Sequence, residues 1–495
     1  MREQAAGDHP PSEDRPVWTI LFAVAAALLA VRYSVLLLTD LSLHGDEAQY
    51  WTWSRDFAFG YYSKPPMIAW VIGAATSVCG DAAWCVRAPA ALLHIGTAFV
   101  LTALAQSLFD RRVALWTGIV WLTIPAVSYS SLIMSTDAVL LLFWSAALWA
   151  YHRVLTRPDW RAAAVLAIAF GLGLNAKYAM VYFLLCAIVH WLLCADARRA
   201  LRAAWLYLAG GFALGAAMIL PNVAWNAANG WATVGHTADN AHWQGIVLHP
   251  GEMLEFLGAQ FGVFGPVLFG ALLLSIPVTR GMSARLSGPA RLLLSFCLPV
   301  LVTISVQALL SRANANWAAT AYPAATILVT AALLQSTLRR RLLLASTLLH
   351  LVAAGGFYLL VLNPDFAPRG LAKKLGELDG WTETADAVRD RMADQDVTVL
   401  LMDNRLMMAS LAYALRDSDV TIRAWNHDSK IDHHYEMAWL YDPQRDGGRV
   451  LLATPHDAAP YEQAFGKITV LDPILRRDRR GRETELILRL LEEPR

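Results

Sequence analysis

The segment His44–Pro66, HGDEAQYWTWSRDFAFGYYSKPP, places two adjacent carboxylates and a lysine among aromatic rings in a chain otherwise dominated by apolar runs. A carboxylate sheltered from bulk water gains basicity, which would let Asp46 or Glu47 remove a proton from a hydroxyl. The same position also suits an N-cap for a short helix beginning near Asp46. Lys64, stiffened by Pro65 and Pro66 and flanked by Tyr61 and Tyr62, offers a point cation for a phosphate at headgroup level. A lysine reaching out of lipid at a helix end is the plainer alternative. Asp137 in SLIMSTDAVLLLFW and Lys177 in GLGLNAKYAM add a second acid and a second cation beside apolar runs. Asp137 fits an N-cap beside Ser135 and Thr136, and it fits equally a functional acid at a membrane border. A base together with a phosphate-holding cation suits group transfer from a phosphorylated donor.

Two other loops carry residues able to stack on sugar rings and hydrogen-bond their hydroxyls. One holds Trp225, Asn226, Trp231, His236, His242 and Trp243, and the other holds Arg312, Asn314, Asn316, Trp317 and Tyr322. Interfacial aromatic belts have the same composition. His236 and His242 lack a metal-ligand spacing. There is no Walker or Rossmann glycine pattern, so a nucleotide donor has no recognisable cradle and a lipid-borne donor is expected. Nothing in the charge pattern suggests nucleic acid as a partner.

These residues must be positioned by a membrane scaffold. The chain has 495 residues, 56% of them hydrophobic and only 16% charged, against about 25% charged in a soluble protein. Apolar runs of membrane-crossing length are expected at about 17–38, 84–108, 113–129, 137–152, 161–176, 178–194, 203–221, 253–278, 292–310, 317–335 and 342–362. Arginines crowd alternate links, near Arg111, Arg153, Arg198, Arg280 and Arg339, which the positive-inside rule assigns to the cytoplasm. The opposite links hold little beyond Arg55, Lys64, Arg87, Lys177 and Arg312. The run at 67–80 is too short to cross and reads as an interfacial or re-entrant helix, because a crossing there would reverse the side of every later arginine cluster. The division that follows is a cytoplasmic tail over 1–16, a membrane domain over 17–362 with an outer loop at 39–83, and an external domain over 363–495. In that last part LDGWTETADAVRDRMADQ reads as a helix, while VTVLLMD, VTIRAW, RVLLATP and KITVLD read as strands, giving an α/β unit. Cys79 and Cys85 could pair in an oxidising compartment; Cys186, Cys194 and Cys297 read as small hydrophobes in apolar runs.

The motifs GDEAQYW, GYYSKPPMIAW, VRAPAALLH, STDAVLLLFW, GLGLNAKY and NANWAATAYP, in this order, resemble the GT-C membrane glycosyltransferases of the dolichyl-phosphate-mannose protein mannosyltransferase type. They are most similar to the bacterial branch containing the lipid A aminoarabinose transferase and the lipopolysaccharide core galacturonosyltransferases. The resemblance covers about residues 17 to 335. It implies a helical fold with about 11–13 crossings, a periplasmic C-terminal domain and a bacterial inner-membrane location. The implied reaction is inverting transfer from a polyprenyl-phosphate sugar to a lipid A, lipopolysaccharide core or other envelope glycan acceptor. By position, the resemblance makes Asp46 the acid that activates the acceptor, with Glu47 beside it and Asp137 as the second outer acid. Lys64 is the donor-phosphate lysine, with Lys177 a further basic position. Tyr61, Tyr62, Trp225, Asn226, Asn316, Trp317 and Tyr322 are the candidate substrate contacts. Ser63 stands where the aminoarabinose enzymes usually carry an acid, removing a potential metal ligand; no cofactor is expected, and ligand spacing does not support a divalent metal. A transporter or lipid-linked sugar flippase is the competing class, and it would place ionisable residues near mid-span, whereas Arg32, Arg87 and His94 lie toward outer halves.

Overall fold

A computed structural model describes residues 15–239, 247–276, 286–427, 430–455 and 461–495. The expected tail at 1–16 falls almost wholly outside these residues, as do His242, Trp243 and Arg280.

Every expected crossing coincides with helix, but only six described helices are long and apolar enough to cross alone, and a seventh crossing would need a bent pair. The six are Pro16–Leu38, Ala83–Leu108, Thr136–Thr156, Ala195–Ala228, Gly288–Leu310 and Thr337–Leu362. The shortfall against eleven has local causes. The run expected at 113–129 divides into Arg111–Thr123 and Pro125–Ser130 because Pro125 supplies no N–H to continue the first helix. Trp160–Ala176 is short, and the next run starts as a 3-10 turn at Tyr178–Val181 before Tyr182–Leu193. The run at 317–335 likewise opens with 3-10 backbone over Ala315–Ala321 before the helix Tyr322–Leu333. The run at 253–278 is not straight: Pro250–Val263 and Pro266–Leu274 meet at 117°. Gly265 makes that corner at φ +97°, and the His350 imidazole fills the space where a Cβ would stand.

The segment at 67–80 forms a helix of 13 residues, Met67–Cys79, stopped by Gly80. Cys79 and Cys85 are disulfide-bonded, tying this helix to the start of Ala83–Leu108. The short helix Gly45–Trp53 lies against it, so the links on this side of the bundle are themselves helical and largely buried.

The C-terminal part carries one sheet in the order β2-β1-β3-β5-β4. β1 (Val399–Met402) runs parallel to β2 (Thr421–Ala424) and β3 (Arg449–Thr454), while β4 (Phe465–Arg477) and β5 (Glu483–Pro494) form an antiparallel hairpin continuing from β3. The four strand-like runs match β1 to β4; β5 was not foreseen, its apolar positions being flanked by acids. From β1 the chain moves to β2 on one side and returns past β1 to β3 on the other. Such a reversal opens a crevice at the carboxyl ends of β1 and β3, where α/β sheets commonly bind ligands. Asp403 sits there, its Oδ2 accepting from Thr454 Oγ1 and from the Tyr461 hydroxyl, both at 2.8 Å. The helix Arg405–Ala414 starts at that edge, capped by Asn404, and packs on Gly45–Trp53. Gly45 permits the approach, since a Cβ there would lie 2.7 Å from Leu406 Cδ2.

Candidate active site

The helix Gly45–Trp53 begins with a reciprocal cap centred on His44. Its Nδ1 accepts from the Asp46 amide (3.2 Å), and its own amide donates to Glu47 Oε2 (2.9 Å). His44, not Asp46, is therefore the N-cap. One residue of helix turns a side chain by about 100°, which separates the two acids.

Glu47 faces the bundle and is 1% exposed. Arg87 grips it through Nε (3.1 Å to Oε1) and NH2 (2.8 Å to Oε2), and the Met134 amide donates to Oε1 at 2.9 Å. The expectation of a catalytic role for Glu47 is corrected: its acceptors are committed to a buried ion pair that joins three parts of the chain, and it has no open side.

Asp46 turns the other way and stays half exposed. Its Oδ1 accepts from Arg405 NH1 at 2.9 Å, and the same nitrogen donates to Gln49 Oε1 at 2.9 Å, one turn along the helix. Partial burial works to raise the Asp46 pKa, but the charge and hydrogen bond of Arg405, then His44 and Lys64, outweigh it and hold the carboxyl below its ordinary value. The expected gain in basicity is reversed. Asp46 is an ionised carboxylate steadied by a cation from the C-terminal domain.

Lys64 is fixed by a tight turn in which the Tyr61 amide donates to the Lys64 carbonyl at 3.1 Å. Burial, then the nearby Lys177, push its ammonium down to about 8, against the pull of Asp46 and Asp137. Among the described residues, the Lys64 ammonium has no hydrogen-bonding or ion-pair partner. Asp137 lies in the first turn of Thr136–Thr156, two residues past its N-cap Ser135. Its Oδ1 accepts from Lys177 Nζ (2.7 Å) and its Oδ2 from Asn316 Nδ2 (2.7 Å). Lys177, Asp46, Asp137 and Arg405 all lie close enough to bear on the charge of Lys64, and Lys64 alone among the five is unmatched.

Of the expected substrate contacts, the structure brings Asn316 to this cluster and sets the half-buried Trp317 beside it. Tyr62 closes the edge, its hydroxyl donating to the Ile431 carbonyl (3.0 Å) and its ring meeting His236 at 5.3 Å. His236 is itself lowered to about 4 by burial and by Lys64 and Arg405. Three expected contacts are corrected. Tyr61 is stacked on Trp53 and hydrogen-bonds the Asp56 carbonyl at 2.7 Å, giving the loop its shape. Asn226 is buried against Tyr178, Asn222 and the Thr233 amide. Tyr322 is buried, bonded to Gln260 and stacked on Phe264. Trp225 packs over Gly60, leaving part of its ring open. Among the described residues no group of three or more His, Cys, Asp or Glu side chains gathers as a metal site.

Arg405 is the residue that sequence reasoning missed. It lies 359 positions from Asp46; the available signal was the polar Asp403-Asn404-Arg405 at the carboxyl end of an apolar strand.

The family model described as dolichyl-phosphate-mannose-protein mannosyltransferase matches residues 63–225. The chain is 36% identical over 415 residues to the lipid A galacturonosyltransferase RgtD of Rhizobium johnstonii, covering 83% of this chain and 85% of that one. It is 30% identical over 207 residues to the lipopolysaccharide core galacturonosyltransferase RgtA of the same organism, covering 40% and 41%. In fold it matches ArnT of Cupriavidus metallidurans in the apo state, with TM-score 0.67, 16% identity, 96% of this chain and 97% of that one. It also matches ArnT bound to undecaprenyl phosphate, with TM-score 0.65, 17% identity, 96% and 98%. The chain belongs to the GT-C membrane glycosyltransferases, in the family that includes the lipid A galacturonosyltransferase RgtD.

Proposed function

We propose that this glycosyltransferase takes a uronic acid sugar from polyprenyl phosphate and attaches it to lipid A or a related lipopolysaccharide acceptor. The names of the two galacturonosyltransferase relatives support the sugar and acceptor class, and the undecaprenyl phosphate bound by ArnT supports the donor class. The observation that carries the reading is the unmatched ammonium of Lys64, near the acids Asp46 and Asp137 at the end of an apolar bundle.

In the proposed reaction an acceptor hydroxyl oxygen attacks the anomeric carbon from the face opposite the phosphate. The new C–O bond forms as the bond from that carbon to the phosphate oxygen breaks, and the bonding pair leaves on polyprenyl phosphate with inversion. Asp46 orients the hydroxyl and accepts its proton as the oxygen becomes acidic during attack. Because Arg405 holds it ionised, Asp46 accepts that proton only late in bond formation. Lys64 meets charge growing on the leaving phosphate, an interaction stronger in the transition state than before it. Lys177 adds to the positive field and is itself oriented by Asp137, which Asn316 fixes from its other side. Trp317, Tyr62 and the open part of Trp225 border the sugar.

This reading assigns residues 17–362 to the catalytic membrane domain and 363–495 to a periplasmic domain, in a bacterial inner membrane. The alternation of arginine-rich links supports that orientation, and the Cys79–Cys85 disulfide suits an oxidising compartment on the side of the outer loop. Mass spectrometry of lipid A from cells with and without the gene tests the reading. The expected result is loss of a uronic acid residue that returns on complementation; unchanged lipid A and core would contradict it.

A further inference from the structure

Arg405 uses only one of its guanidinium nitrogens in the contacts with Asp46 and Gln49. Its Nε and NH2 have no partner among the described residues, and the side chain is 37% exposed. An arginine presents these two nitrogens as a planar fork that fits a carboxylate through two parallel hydrogen bonds. Gln49 is buried and Asp46 is anchored on a capped helix, so the NH1 edge is held and the other edge is aimed from a fixed base.

Charge counting leads to the same place. Asp46 is matched by Arg405 and Asp137 by Lys177, while Lys64 is free for one anionic group. A polyprenyl-phosphate uronate carries two: the phosphate and the sugar's own carboxylate. With the phosphate at Lys64 and the acceptor at Asp46, the sugar ring lies between them, within reach of the cation that borders Asp46. A neutral hexose would leave the free edge of Arg405 without a partner and gain nothing from it.

We propose that Arg405, delivered by the C-terminal domain, is the specificity residue that recognises the carboxylate of a uronic acid donor through its Nε and NH2 edge, while its NH1 edge steadies Asp46. This rests on the functional reading above and adds a role for the C-terminal sheet domain, whose helix Arg405–Ala414 packs on Gly45–Trp53. The same chemistry could serve an anionic group of the acceptor, so the test varies the donor with the acceptor fixed.

Purified full-length wild type, Arg405→Lys and Arg405→Gln are assayed with polyprenyl-phosphate galacturonic acid and with the galactose analogue, on the same lipid A acceptor. The readout is the ratio of kcat/KM for the two donors. Loosening of Asp46 lowers both rates together and cancels from this ratio. Arg405→Gln should reduce the preference for the uronate by roughly 10- to 100-fold, the range expected for a charged hydrogen bond. Arg405→Lys, which keeps the charge but loses the fork, should fall between and carries the test if the Gln variant does not fold. An unchanged ratio in both variants, or a change confined to the acceptor KM, overturns the assignment alone. A wild type that transfers no uronate from the lipid donor would instead sink the functional reading, and this proposal with it.

Discussion

Asp46 and Glu47 are neighbours in sequence and share one capped helical turn, yet they live in opposite surroundings. Glu47 is enclosed, with both oxygens committed to Arg87, Met134 and His44. Asp46 is half exposed and held by one arginine that arrives from the far end of the chain. The difference shows how a single polar motif can supply both the frame and the chemistry of a site. A buried ion pair adds little net stability compared with a well-packed apolar core, but it penalises loss of either partner severely. Here it anchors the helix Gly45–Trp53 to the bundle, while the reciprocal cap at His44 holds the first turn, where Asp46 faces outward.

Substitution separates the roles of the two acids. Asp46→Asn should lower transfer by about 10² to 10⁴, the usual worth of a positioned base, while leaving thermal unfolding nearly unchanged. Steady-state turnover and a melting curve on the same preparation check this. Glu47→Gln should do the reverse. It leaves Arg87 buried without a counter-charge, at a cost of about 3–5 kcal/mol, read as a large fall in melting temperature and in folded yield, with activity per folded molecule largely kept.

Smaller effects sharpen the picture. Lys64→Ala should lower kcat/KM for the donor by about tenfold or more, as expected for a lost charged hydrogen bond to phosphate that strengthens in the transition state, with the acceptor KM little changed. Titration gives an independent view of the same lysine. Its ammonium is lowered to about 8, so it is protonated below that value and neutral above it. The kcat/KM for donor should therefore decline as pH rises through about 8, and Lys64→Arg should move that limb upward, since guanidinium stays charged. Asp46 contributes no limb near neutrality, because its pKa is held below the ordinary carboxylate value. The mildest change is Gly45→Ala, which meets the tip of the Leu406 side chain. It should loosen the docking of Arg405–Ala414 and cost under about 1 kcal/mol of stability, within the range of a small packing adjustment.

Much of the frame was legible because lipid selects long apolar runs and links their ends with polar residues. What escaped were departures from straight crossings: the corner at Gly265, where the His350 side chain packs into the bend, and the break at Pro125, whose missing N–H was overlooked inside an apolar run. At the site, the residue types of Asp46, Lys64, Asp137, Lys177 and Asn316 were informative because few structural reasons bring such groups together at one end of a bundle. Tyr61, Asn226 and Tyr322 were misread because aromatic and amide side chains serve a sugar and a buried hydrogen bond equally well. Glu47 could not be told from Asp46 by composition, since one residue of helical rotation, about 100°, decides burial. Arg405 was out of reach of any local pattern, its contact with Asp46 being created by domain docking.

The outward-facing acid, and not its buried neighbour, takes part in the proposed transfer. The direct measurement is turnover per folded molecule for Asp46→Asn and Glu47→Gln, prepared in parallel and assayed with the same polyprenyl-phosphate uronate and lipid A. The expected value is at least about 100-fold lower for Asp46→Asn. Equal values, or a greater loss in Glu47→Gln, would contradict it.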